Sequence, residues 1–156
     1  MNLFFRMLYV LLLASRRPRL AAGKVTSTLT LLTFPNDLDV NLHVNCGRYL
    51  TLCDLSRVDL FLRTGLLRLM LRRRWQPIIA DHTMTYLKPL AVFRKVDLIL
   101  DLTHWDERYF YMEHRFERGG KVFAKGTSKG VIRGKACVVP PQEVIDAIVA
   151  DSRPAP

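Results

Sequence analysis

No stretch of this chain approaches the roughly 20 consecutive apolar residues that a bilayer-spanning helix needs. The longest apolar run, residues 3–14, is short and is interrupted by Arg6. It also lacks the cationic start of a secretory signal. There are three cysteines (Cys46, Cys53, Cys137), an odd number without a C-x-x-C pair. That pattern argues against a disulfide framework and a zinc-finger type of metal site, and it fits a reducing, cytoplasmic compartment. Acidic residues are scarce as well, 14 against 24 Lys and Arg, for a formal charge of +10. Residues 1–24, 63–74 and 118–135 contain no acid at all. Such runs attract polyanions, whether an anionic membrane surface or the phosphates of a ligand. No nucleic-acid recognition motif accompanies them, so nucleic acid is not expected as a partner. Internal repeats, low-complexity segments and domain linkers are also lacking, and 156 residues make one domain with a sizeable core.

What is present reads in order as a helix, a strand, a polar turn, a long helix and a set of strands. Residues 1–20 form an apolar and basic helix ended by Pro18, with Arg16, Arg17 and Arg19 behind it. Its apolar side suits an anionic membrane interface, reached through residues 1–19, and equally the body of its own domain or of a dimer partner. A strand follows from Lys24 to Phe34, rich in β-branched residues. Residues 48–73 are apolar in nearly every direction, which predicts a buried helix with a break near Gly65. In it, Asp54 with Arg57 and Asp59 with Arg63 have the spacing of surface ion pairs. Beyond Trp75, alternation predicts four antiparallel strands, the first with Ile78, Ala80, His82, Met84 and Tyr86 on one face and His82 packed among apolar neighbours. The last, Lys121–Val139, has a face nearly bare of side chains (Ala124, Gly126, Ser128, Gly130), as expected if the long helix presses against it. A short helix spans about 141–150, and residues 151–156 are expected to fray. The sum is an α+β domain over 24–150, a sheet wrapped around a central helix, with an extra N-terminal helix.

The chemistry-bearing stretch is Pro35–Arg57. It places Asp37, Asp39, His43 and Asn45 in a polar turn that enters the long helix through Gly47. The first N–H groups of a helix lack internal partners and carry partial positive charge, so they favour an oxyanion or a polarised carbonyl. The same acids and amides also serve as turn and capping residues. Cys46 and Cys53 share a face of this helix, where small buried thiols are the ordinary reading.

Asp37, Asp39, His43, Val44, Asn45, Tyr49, Asp54 and Arg57 together resemble the D-x-D-x-x-G-H-V-N-N-x-x-Y-x-x-x-x-E/D-x-x-R signature of hotdog-fold acyl-CoA thioesterases, in the 4-hydroxybenzoyl-CoA thioesterase-like branch. Leu42 departs from the usual Gly and Cys46 from the second Asn. The resemblance implies the hotdog fold, an acyl-CoA substrate, no metal or bound cofactor, and a symmetric homodimer or dimer of dimers with the site between subunits. It makes Asp39 the catalytic carboxylate, with Asn45, Cys46 and Gly47 polarising the thioester carbonyl and shaping the turn. Asp54 is the reserve acid, matching a sister branch. The competing expectation is a non-catalytic hotdog module that binds acyl chains at a membrane surface.

Overall fold

The computed structural model describes residues 3–152. Its elements are α1 (Leu3–Arg16), β1 (Val25–Leu32), a single 3-10 turn (Pro35–Asp37), α2 (Cys46–Thr64), α3 (Leu66–Arg73), β2 (Gln76–Tyr86), β3 (Lys95–Trp105), β4 (Phe110–Arg118), β5 (Lys121–Arg133), β6 (Val138–Val139) and α4 (Pro141–Ser152). The strands form one antiparallel sheet in the order β1-β3-β4-β5-β2, with β6 beside β5. The sheet wraps α2, as the alternation and the all-round apolar helix predict.

Two apolar clusters fill the space between helix and sheet. Leu52 and Leu55 of α2 pack with Leu29, Leu31, Leu98 and Phe116 at one end. Leu60 joins Leu100, Leu102, Ile132 and Val144 at the other. Gly65, at φ 81°, ends α2 in the left-handed conformation and starts α3, so the long helix is two helices hinged at the expected break. Burial of a leucine of this kind is worth about 1.5–3 kcal/mol.

α1 packs on the body of the domain. Val10 and Ala14 are buried, and so is the arginine that interrupts the apolar run, Arg6. Its opposite side leaves Phe4, Phe5, Leu8, Tyr9 and Leu12 exposed. The arginines of the basic N-terminus are partly internal: Arg6 Nη2 donates to the Leu32 carbonyl at 2.9 Å and Arg17 Nη2 to the Thr28 carbonyl at 2.5 Å, both on edge strand β1. Asp59 and Arg63, expected as a surface pair, lie buried beneath, where Asp59 also accepts from Arg17 and from the Ser27 hydroxyl.

Three expectations need correction. Strand β2 is not one alternating run: Ile79 lies opposite Gly130 but Asp81 opposite Lys129, so Ala80 is the extra residue of a bulge. The inward register is therefore Pro77 and Ile79 before the bulge, then His82, Met84 and Tyr86. The small face of β5 is not made for the helix. An added Cβ at Gly126 would come 2.0 Å from the Thr83 carbonyl oxygen, so the neighbouring strand demands that glycine. β2 and β4 flank β5 about 9.5 Å apart, yet the His82 and His114 rings meet at 5.3 Å above it, which only small residues between them allow. The long last strand ends at Arg133, before β6, and α4 continues to Ser152, with Asp151 paired to Arg72 at 2.8 Å. The rest of the expected frayed tail, 153–156, lies outside the described residues.

Candidate active site

The loop between β1 and α2 is built on Asp37. Its carboxylate is fully buried, accepts the Phe34 N–H at 2.8 Å, and pairs with Arg6 and with Arg48 Nε at 3.0 Å. Its carbonyl accepts the Asn45 N–H at 2.8 Å. Asp37 is thus the structural acid of the Asp-x-Asp pair, and Arg6 and Arg48 are partners that no local spacing announces.

Asp39 stands half-buried two residues on. Its carboxylate accepts the Asn41 N–H at 2.8 Å in an Asx turn, while its own N–H donates to the His43 carbonyl at 2.9 Å. One carboxylate oxygen is engaged and the other has no donor among the described residues. Leu42, in the place of the signature glycine, has φ 59°. The loop keeps the left-handed backbone that a glycine adopts freely, with the leucine side chain out in solvent. His43 is exposed and holds the turn through its backbone.

Helix α2 begins at Cys46, two residues before the expected start. Asn45 is its N-cap, accepting the Gly47 N–H on its side-chain oxygen at 2.9 Å. That cap removes Gly47 from the expected set of carbonyl-polarising donors. The Asn45 N–H is spent on Asp37, so Cys46 supplies the N–H of this turn that has no acceptor among the described residues. Cys46 is exposed rather than a buried thiol, whereas Cys53 is buried.

Asp39, His43, Cys46, Tyr49, Tyr86 and Lys88 line one cleft at this helix start. Tyr86 donates to the Cys46 carbonyl at 2.9 Å, and its ring packs on Tyr49 at 5.1 Å. Burial raises the Tyr49 hydroxyl to about 12, so it remains a hydrogen-bond donor at any working pH. An apolar pocket of about 60 Å³, open to solvent beside Ile78 and Ile79, lies at the far half of α2, between Phe61, Ile79, Met112 and Ile148; no carboxylate lines it.

Asp54 is apart from this cleft, about half exposed and paired with Arg57. Arg57 itself is buried and turns its other side to His82 and His114. His82 is therefore not packed among apolar neighbours, as its strand pattern suggested, but sits in a polar cluster with Arg57, His114 and Ser128. His114 shares the inward row of Phe110, Met112 and Phe116 on β4, a period-2 pattern that marks it as buried in the sequence itself. Burial first, and then Arg57 and His82, push its pKa down to about 3. The same burial and Arg57 lower that of His82.

A sheet wrapped on a helix, with an Asp-bearing loop at the helix start, defines a class, and the comparisons agree. Residues 34–148 match the model of the thioesterase-like superfamily, and the chain belongs to that family. It is 33% identical over 85 residues to Protein THEM6 of Xenopus laevis, covering 54% of this chain and 41% of that one. The chain spans about half the length of the curated relatives it matches. Among solved structures, a gentisyl-coenzyme A thioesterase superposes with TM-score 0.67 at 21% identity, over 78% of this chain and 99% of that one. A 1,4-dihydroxy-2-naphthoyl-CoA thioesterase from Synechocystis gives 0.70 at 12%, over 83% and 100%. These likenesses show the hotdog fold.

Proposed function

We propose that the protein is a thioesterase that hydrolyses an acyl-CoA to the free acid and coenzyme A. The observation that carries this reading is the sharing of one cleft by the Asp39 carboxylate and the exposed first turn of α2, where the Cys46 N–H is free. In the proposed reaction the thioester carbonyl oxygen lies on the Cys46 N–H and the positive end of the helix. Asp39 takes a proton from water as the water oxygen adds to the carbonyl carbon, or it adds itself as nucleophile and the anhydride left after coenzyme A departs is hydrolysed by water to the free acid and the regenerated carboxylate. The carbon–sulfur bond then breaks and the coenzyme A sulfur leaves, protonated by the same carboxyl or by solvent. Lys88 at the cleft mouth is placed to meet a phosphate of the leaving group. No metal or bound cofactor enters this scheme.

The assembly proposed is a homodimer, or a pair of them, in the cytoplasm. Strand β2 supports it: it is an edge strand, exposed along most of its length, where the outward Ile78 and the inward Ile79 are both only partly covered. Hydrolysis of a panel of acyl-CoAs tests the activity, with release of free thiol expected for at least one chain class. No turnover on any acyl group by the dimeric protein would overturn it.

A second reading, an acyl-binding module at a membrane surface, is favoured by one observation, the exposed row Phe4, Phe5, Leu8 and Leu12 on α1. No helix among the described residues is long and apolar enough to cross a membrane. This reading expects salt-sensitive sedimentation with anionic liposomes, lost in a Phe4→Ser, Phe5→Ser, Leu8→Ser variant.

A further inference from the structure

Two of the acid-free runs, 63–74 and 118–135, meet around Trp75 at the start of β2. The Arg73 guanidinium lies over the Trp75 ring, 4.8 Å from its centroid. Gly134 stands against the same ring, where an added Cβ would be 3.9 Å from Trp75 Cδ1. Gln76, which opens β2, pairs with Arg133. Arg73, Arg74, Arg133 and Lys135 are thereby gathered at one end of the edge strand, and all four are exposed. None of them is paired with a carboxylate among the described residues, since Asp151 is spent on Arg72. Like charges gathered in this way repel one another, a cost that a bound anion relieves. A guanidinium over a ring face also keeps its N–H donors for such an anion, and the fork of an arginine matches a phosphate.

The Asp39 cleft lies at the other end of the same strand, where Tyr86 closes β2 and Lys88 follows it. From Gln76 to Tyr86 is roughly 33 Å at 3.3 Å per residue. The pantetheine arm of coenzyme A, about 13 bonds from sulfur to pyrophosphate, extends only roughly 16 Å. Within one chain, therefore, the cleft and the cationic cluster cannot serve the two ends of that arm.

Two copies bring them together. A two-fold axis through an edge strand pairs it antiparallel with its own copy. Along the full length of β2, Gln76 of one copy then stands beside Tyr86 of the other, roughly 4.8 Å away. Arg74 comes level with Lys88 across the seam. One cleft mouth is thus flanked by Lys88 of its own chain and by the cationic cluster of the other.

Resting on the thioesterase reading and on its homodimer, we infer that Arg73, Arg74, Arg133 and Lys135 of one protomer hold the phosphates of a coenzyme A whose thioester lies in the cleft of its partner. The binding site for the substrate is then incomplete in a single chain.

The test compares one acyl group carried by coenzyme A with the same group on pantetheine, which ends before the phosphates. The parent protein should favour the coenzyme A thioester by about tenfold or more in kcat/KM. Replacing all four cations by Gln should erase that preference through KM. Should that variant not fold, Arg133→Gln with Lys135→Gln is read in its place and should reduce the preference. The fourfold variant, or the pair in its place, is then mixed with Asp39→Asn and the subunits allowed to exchange. Each mixed pair has one cleft with both its own Asp39 and the intact cluster of the other chain, so the low KM for acyl-CoA should return. Mixed pairs seen by native mass spectrometry without that return would overturn the contribution across the pair. A preference that survives the substitutions would overturn the assignment to these residues. Equal kcat/KM on the two thioesters in the parent would overturn the inference and leave the thioesterase reading intact, whereas hydrolysis of neither would defeat both.

Discussion

Arg6, in the first turns of α1, and Asp37, two residues before the proposed catalytic carboxylate, form a buried ion pair that ties the N-terminal helix to the loop between β1 and α2. Arg48 reaches the same carboxylate from α2. Helix α1 thereby helps fix the loop that carries Asp39.

Removal of that tie should be felt in both stability and activity. Arg6→Met leaves Asp37 buried with Arg48 and the Phe34 N–H as its remaining partners, and losing one hydrogen bond to a buried charged group costs about 1.5–3 kcal/mol. Urea denaturation should show that loss, with a lower kcat for any acyl-CoA that the parent hydrolyses. Phe5→Ser, on the exposed side of the same helix, should change stability by no more than about 0.5 kcal/mol. Equal effects from the two variants would mean that the ion pair is not what holds the loop.

Leu42 occupies a left-handed conformation that costs a non-glycine residue about 1 kcal/mol. Its side chain is exposed and packs on little, so Leu42→Gly forfeits scarcely any burial. The relief is partly offset by the greater freedom of glycine in the unfolded chain. A gain of about 0.5 kcal/mol in denaturant unfolding is expected, with hydrolysis unchanged. A loss of stability would show that the leucine makes a contact of value, as in an assembled dimer.

Asp39 and Asp54 should separate cleanly. Asp39 lines the cleft with the free Cys46 N–H, whereas Asp54 is spent on Arg57. Asp39→Asn should keep the fold, since an amide oxygen still closes the Asx turn, and lose hydrolysis by about a hundredfold or more. Asp54→Asn should retain most of kcat and act on stability or on KM. The reverse pattern in steady-state kinetics would move the catalytic role to the helix.

Stability should depend on pH through His114. In the unfolded chain this histidine has the ordinary value of about 6.5, and in the fold burial, Arg57 and His82 push it down to about 3. Between these values the unfolded state binds a proton that the folded state refuses, so stability is full above about 6.5 and falls as the pH drops toward 3. The slope for one such group is up to about 1.4 kcal/mol per pH unit, or about 2 kcal/mol between pH 7 and pH 5. His82, lowered for the same reasons, adds in the same direction. Denaturant midpoints from pH 7 to pH 5 should show a shallower slope for His114→Gln than for the parent; parallel slopes would rule His114 out as the source.

Much of this architecture was legible from local pattern. Alternation in β1, β3 and β4, the all-round apolar character of α2 and the break at Gly65 each follow from residues close in sequence. The polar turn was legible too, because Asx turns and N-caps are made by neighbours, as Asp39 with Asn41 and Asn45 with Gly47 show. What escaped was set by topology. Arg6 meets Asp37 across 31 positions, and Arg57 meets His114 across 57. The bulge at Ala80 leaves no mark in hydropathy, yet it decides that Ile79 and His82 face inward while Ile78 does not. Of the four residues expected to serve the carbonyl, Asp39 and Cys46 share the cleft, while Asn45 and Gly47 are occupied with each other.

The arginines that bond to β1 from α1 have a further consequence for assembly. A sheet with two bare edges can add strands at both and grow into a fibre. Here Arg6 and Arg17 occupy carbonyls of Leu32 and Thr28 on one edge, while β2 at the other edge is bare among the described residues. Such a sheet offers a neighbour one open edge and one partly obstructed edge, so addition of a strand at β1 is impeded. The N-terminal helix thereby guards that edge against polymerisation.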